Sequence, residues 1–140
     1  MIDTVSIDKK TYAEIMMHLK NAYPYEGCGI LLGNKFNKAV ESIRSIDNSA
    51  GEGKTSNYLI DPIELYKLEE EAESMGMEII GFYHSHPDKA AILSRKDEQN
   101  MIPGLLYMVE SISRDGIGEI KGYIKDELDE KIYIASIREA

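Results

Sequence analysis

The stretch Met77-Glu78-Ile79-Ile80-Gly81-Phe82-Tyr83-His84-Ser85-His86-Pro87 decides how the rest of the chain is read. Ile79, Ile80, Phe82 and Tyr83 give it the β-branched and aromatic composition of a strand over 77–86. Residues two apart on a strand share a face, so His84 and His86 present both imidazoles together while Ser85 points away. Pro87 has no N–H and stops the ladder, leaving the two rings at a sheet edge where a ligand can enter. Two neutral imidazoles side by side are half of a zinc site, with Zn–N distances of about 2.0–2.1 Å. His-x-His pairs also occur as plain hydrogen-bonded structure, so the pair needs partners elsewhere in the chain.

Downstream, Ser94-Arg95-Lys96-Asp97 opens a short helix predicted over 94–101, and Asp97 lies eleven residues past His86. A hydrolytic zinc site takes a third protein ligand and keeps one position open, and Asp97 is the nearest candidate. Ser-x-x-Asp is also a capping pattern, with Asp in place of the usual Glu. The two readings are compatible, because a capped helix start holds a carboxylate rigidly. Upstream, Glu26 stands in Pro24-Tyr25-Glu26-Gly27-Cys28-Gly29, between a helix and a strand. A zinc hydrolase needs a proton carrier that is not itself a ligand, and Glu26 is the candidate. A lone loop glutamate is more often simply solvated.

Around these motifs the chain alternates helices and strands. A helix is predicted over 8–22, capped by Asp8, with Tyr12, Ile15, Met16, Leu19 and Ala22 on one apolar face and Pro24 ending it. Strands are predicted over 29–33, 38–47 and 56–60, the last two separated by a loop over 48–54. Asp61-Pro62-Ile63-Glu64 signs the start of a second helix carrying Leu65, Leu68, Ala72 and Met75, closed by Gly76. A strand over 105–111 and a hairpin of 118–125 with 131–137 complete the set. The expected fold is α/β: one domain spanning 1–140, a mixed β-sheet flanked by helices.

Composition narrows the function. The 140 residues carry 16 Lys plus Arg against 25 Asp plus Glu, a net charge of −9. No basic run exceeds two residues (Lys9-Lys10, Arg95-Lys96), so the clustered positive face that nucleic acid requires is missing. The single cysteine, Cys28, excludes an intramolecular disulfide and an intrachain iron–sulfur cluster. The start Met1-Ile2-Asp3-Thr4 lacks the basic and apolar stretches of a signal peptide, and no apolar run approaches the ~20 residues that span a bilayer. A cytoplasmic protein with no nucleic-acid and no membrane partner is expected. Asn48-Ser49-Ala50-Gly51-Glu52-Gly53-Lys54-Thr55 nearly spells a phosphate-binding loop, but Asn48 replaces its first glycine and no helix follows directly.

Taken together, Glu26-Gly27-Cys28-Gly29-Ile30-Leu31-Leu32-Gly33, then Gly81-x-x-His84-Ser85-His86-Pro87, then Ser94-x-x-Asp97 resembles the JAMM (MPN-type) zinc metalloproteases of the compact prokaryotic kind. The resemblance covers nearly the whole chain and implies the JAMM/MPN, cytidine-deaminase-like architecture. One departure is Leu93, where many members have proline before the serine. The resemblance implies that His84, His86 and Asp97 bind Zn²⁺ with a water in the fourth position. It further implies that Glu26 takes the water's proton and passes it to the leaving amine, and that Ser94 hydrogen-bonds the oxyanion. Ser85 is read as structural.

The implied function is hydrolysis of an amide bond after the C-terminal diglycine of a ubiquitin-like or sulfur-carrier protein. The alternatives are a catalytically silent scaffold of the same fold, against which the intact residue set argues, and a zinc hydrolase acting on small molecules. Only seven residues separate Asp97 from Leu105, so no insertion for gripping a second ubiquitin fits there. A homodimer is compatible with the sequence. Cys28 reads as a small buried hydrophobe, with a thiolate near the zinc as the alternative. His18 reads as a solvated helix residue.

Overall fold

The computed structural model describes residues 4–46 and 62–140. Its elements run β1 (Thr4–Ile7), α1 (Lys9–Ala22), β2 (Cys28–Asn34), β3 (Ala39–Ile46), α2 (Pro62–Ser74), β4 (Glu78–Pro87), α3 (Arg95–Asn100), β5 (Leu106–Ser113), β6 (Gly116–Lys125) and β7 (Ile132–Glu139). The predicted elements over 8–22, 29–33, 38–47, 77–86, 94–101 and 105–111 and the terminal hairpin all appear with small shifts of their ends. The predicted strand over 56–60, the loop over 48–54, the Asp61 cap and the phosphate-loop look-alike lie outside the described residues.

The sheet is mixed, as expected, but it also closes. Strand order is β1-β3-β2-β4-β5-β6-β7, and β1 joins the two ends by pairing in parallel with β3 and β7. β1 was not foreseen: it is four residues long, and its alternation, with Val5 and Ile7 fully buried, is too short to stand out from the sequence. β4 pairs antiparallel with β2 and parallel with β5, so it runs between neighbours on both sides.

Two apolar clusters cover the two faces. On one face Cys28, Ile30, Phe82, Tyr107 and Val109 pack with Ala72, Leu65 and Leu68 of α2. On the other, Leu31, Ile80, Tyr83, Leu106 and Met108 pack with Ile15 and Leu19 of α1. Asp8 caps α1 by accepting the Thr11 N–H at 2.7 Å. Gly76, at φ +71°, makes the left-handed turn that ends α2 and lets β4 start at once. Met75, expected on the apolar face of α2, is 47% exposed because it falls in that turn rather than on the helix. A β-bulge at Ile80, between the pairs Leu31–Gly81 and Leu32–Ile79, breaks the β2–β4 register, so Ile80 and Phe82, two residues apart, enter different cores. Beyond it the strand alternates, putting His84 and His86 on the α2 side with Phe82, and Ser85 on the α1 side with Tyr83.

Candidate metal centre and active site

β4 reaches its C-terminal end with every residue from Ile79 to Pro87 buried, which fixes the direction of both imidazoles. His84 is fully buried and His86 is 5% exposed. Their Nε2 atoms lie 3.1 Å apart. The Oδ2 atom of Asp97 approaches His86 Nε2 at 3.2 Å and His84 Nε2 at 3.5 Å. The start of α3 thus brings Asp97 beside both imidazoles.

That start is a full capping box. The Ser94 hydroxyl oxygen accepts the Asp97 N–H at 2.9 Å, and the Ser94 N–H donates to Asp97 Oδ2 at 2.9 Å. The cap and the aim of the carboxylate are one device: the Ser94 N–H that satisfies Asp97 Oδ2 also holds it toward the histidines. His86 Nδ1 contacts the carbonyl of Ala90 at 3.0 Å. A neutral imidazole donates there from Nδ1–H and turns the lone pair of Nε2 toward His84 and Asp97.

Glu26 enters from the segment before β2 and is 6% exposed. Glu26, His84 and His86 each bring a donor atom within 4.8 Å of the others. Its Oε2 is buried and meets no hydrogen-bond partner among the described residues. Burial pushes its pKa up to about 7; the His86 charge pulls it down and Asp97 pushes it further up. Asp97 behaves oppositely. Burial would raise it, but hydrogen bonds from His84, His86 and the Ser94 backbone hold it well below the usual carboxylate range. Burial lowers His84 and keeps it neutral, with Asp97 opposing. At His86 burial also lowers, but the Asp97 and Ala90 hydrogen bonds outweigh it and leave the ring raised.

These donors fit a divalent metal. Two imidazole nitrogens and a carboxylate oxygen converge within 3.1–3.5 Å, so their lone pairs face one another wherever a proton or a cation does not sit among them. A tetrahedral zinc with bonds of about 2.0–2.1 Å has ligand–ligand edges of about 3.3 Å, the spacing seen here. Asp97, ionised, is the better third donor. Glu26, which shares its proton near neutrality, is suited to carrying one.

The remaining expectations divide. Cys28 is 2% exposed, sits opposite His84 in the ladder and directs its thiol at the carbonyl of Ile46 at 3.8 Å, as a small core residue does. His18 is not solvated. It is half-buried and shares a 2.7 Å hydrogen bond with the Tyr83 hydroxyl, because Tyr83 crosses under β2 over Gly29 and reaches α1. A Cβ on Gly29 would fall inside the Tyr83 ring. The Glu-x-Cys-Gly spacing therefore has a packing reason as well. No signal in the sequence links positions 18 and 83.

The fold has clear relatives among solved structures. A solution structure of protein DSY2949 from Desulfitobacterium hafniense superposes with a TM-score of 0.78 at 23% identity, over 95% of this chain and 90% of that one. The crystal structure of AF2198, a JAB1/MPN domain protein from Archaeoglobus fulgidus, gives 0.58 at 16% identity, over 96% and 97%. The fold is that of the JAB/MPN class of domain. The chain belongs to the prokaryotic homologs of the JAB domain, whose family model matches residues 8–119. It is 34% identical over 108 residues to a desampylase of Haloferax volcanii, covering 76% of each chain. It is also 33% identical over 84 residues to a probable TtuB-protein conjugate cleaving protease of Thermus thermophilus, over 60% of this chain and 54% of the relative.

Proposed function

We propose that the chain is a zinc-dependent isopeptidase, one domain over residues 1–140, that hydrolyses the amide bond after the C-terminal diglycine of a ubiquitin-like or sulfur-carrier protein. The observation that carries the reading is the convergence of His84 Nε2, His86 Nε2 and Asp97 Oδ2 within 3.1–3.5 Å beside a buried Glu26. Relatives named for desampylation and for cleaving protein conjugates support the substrate class. The cytoplasm is the proposed compartment, supported by a lone, buried cysteine. No helix among the described residues is long and apolar enough to cross a membrane.

His84, His86 and Asp97 would hold the metal. When bound, zinc supplies Lewis acidity, polarising an amide carbonyl and making water a competent nucleophile near neutral pH. Glu26 accepts the proton from the attacking water at its carboxyl and returns it to the departing amine nitrogen, and burial raises its proton affinity for that task. The Ser94 hydroxyl oxygen is occupied by the Asp97 N–H, so its own O–H is available to the substrate carbonyl oxygen as negative charge develops there. Ser94 is exposed, so a substrate carbonyl can reach it.

The test uses zinc-loaded protein and a ubiquitin-like protein joined through its diglycine carboxyl to a lysine ε-amine. Intact mass spectrometry is expected to show the free diglycine-ended protein and the free amine. An adduct that remains whole in the presence of stoichiometrically bound zinc overturns the proposal. A parallel adduct on the α-amine of cysteine identifies the leaving group.

A further inference from the structure

We infer that Ser85 is a positioning residue for Glu26, acting through a two-bond clamp on the backbone of Gly27. The inference rests on the isopeptidase reading and adds a residue to it.

The β2–β4 ladder ends at the pair Cys28–His84. One step further, antiparallel geometry sets Gly27 opposite Ser85 and Glu26 opposite His86. The Ser85 N–H donates to the carbonyl of Gly27 at 3.0 Å, as a continuing ladder would have it. The reciprocal bond is different: the Gly27 N–H donates to the Ser85 hydroxyl oxygen at 2.9 Å. A side chain thus stands in for a main-chain acceptor, and one residue satisfies both polar groups of Gly27. Ser85 is 0% exposed, so water does not compete for these bonds.

On the α1 face of the sheet the helix packs against the same residue. A Cβ on Gly27 would lie 2.9 Å from Leu19 Cδ2 and 3.0 Å from Ala22 Cβ. Gly27 is therefore held by the serine through its N–H and carbonyl and covered by the helix on its Cβ side. Glu26 is its neighbour, and the buried Oε2 of Glu26 meets no described partner that could orient it. The carboxyl is aimed by its backbone, and the backbone is held at Gly27. Because Ser85 stands between His84 and His86, one tripeptide presents the metal donors on one face and locates the proton carrier from the other. This gives the serine between the histidines a task that strand alternation alone does not reveal.

The experiment compares wild type, Ser85→Ala and Ser85→Thr, all zinc-loaded, on the diglycine–lysine adduct. Ser85→Ala keeps the main-chain bond and removes the acceptor for Gly27 N–H. Its kcat is expected to fall ~10- to 100-fold, the scale for a reacting group misplaced by about 1 Å. KM and zinc content are expected to stay at wild-type values. In ¹H–¹⁵N spectra the Gly27 amide should shift and lose its protection from solvent exchange. Ser85→Thr restores a hydroxyl and should recover most of the kcat and the amide signature; Ser85→Cys, a weaker acceptor of similar size, should fall between and replaces Ser85→Ala if that variant does not fold.

Wild-type kcat in the variant lacking the hydroxyl, or a loss of kcat that tracks loss of zinc and is not recovered by threonine, overturns the inference. Wild-type protein that leaves the adduct whole refutes the isopeptidase reading instead. The clamp is then decided by Gly27 exchange and by a crystal structure of the zinc-loaded Ser85→Ala variant: a displaced Glu26 carboxyl supports it, and an unmoved one overturns it.

Discussion

Replacing Glu110 with methionine should stabilise this protein, and increasingly so as pH rises. Glu110 lies in β5 with no exposed surface, and neither carboxyl oxygen meets a hydrogen-bond partner among the described residues. Its ladder neighbours are Ser85 on β4 and Ile120 on β6, and the side chains of Met108 and Ile112 on its own strand belong to the α1-side core. Burial pushes its pKa well above the ordinary carboxylate value. The folded protein therefore keeps a proton that the unfolded chain releases above pH about 4.3. Stability from this group is complete below that pH and declines as pH climbs toward the raised value, by up to about 1.4 kcal/mol per pH unit.

A buried polar group without a partner costs about 1–3 kcal/mol even when neutral. Glu110→Met, similar in length and volume, should gain about that much near pH 5 and more above it. In a chain of this size each kcal/mol moves Tm by about 4 °C. Urea melts of both proteins at several values between about pH 5 and about pH 8 read the difference, in which all shared titrating groups cancel. Parallel curves, or a variant weaker throughout, would refute the assignment of Glu110 as a neutral, unpartnered core carboxyl.

Other consequences follow from the site and its supports. Glu26→Gln should keep its zinc and lose ~10²- to 10⁴-fold in kcat on the diglycine adduct; unchanged turnover at equal zinc content excludes Glu26 as the proton carrier. His84→Ala and Asp97→Asn should each release the metal, measured by elemental analysis after gel filtration, and zinc retained in both contradicts the ligand set. Tyr83→Phe removes the 2.7 Å bond to His18 and should cost about 0.5–1.5 kcal/mol in a urea melt, since His18 is only half-buried and can rehydrate. Gly29→Ala puts a methyl into the Tyr83 ring and should cost about 1–3 kcal/mol or more; full stability would mean the ring has room to move.

Local signals were legible because local physics sets them. The Asp8 cap, the Ser94–Asp97 box and the Gly76 turn are decided within a few residues, and each stands where the sequence predicts it. The His84/His86 face follows from strand alternation alone. What the sequence withheld is non-local. The barrel closes through four residues of β1 whose partners, Ala39–Val40 and Ser136–Glu139, are far along the chain. The His18–Tyr83 bond joins elements 65 residues apart, so a histidine that reads as solvated is half-buried. Glu110 looks like a polar strand end in Tyr107-Met108-Val109-Glu110-Ser111, and only its place between β4 and β6, on the core face shared with Met108 and Ile112, buries it. Ser85 is visible as facing away from its neighbours, but the Gly27 N–H that it meets is 58 positions earlier.

The most direct test of the central claim is the zinc position itself. Crystals of the zinc-loaded protein, measured at the zinc absorption edge, should show one anomalous peak about 2.0–2.2 Å from His84 Nε2, His86 Nε2 and Asp97 Oδ2. Glu26 should stand beside it, outside bonding distance. A peak bound by Glu26 in place of Asp97, or no peak between the histidines, would contradict the account.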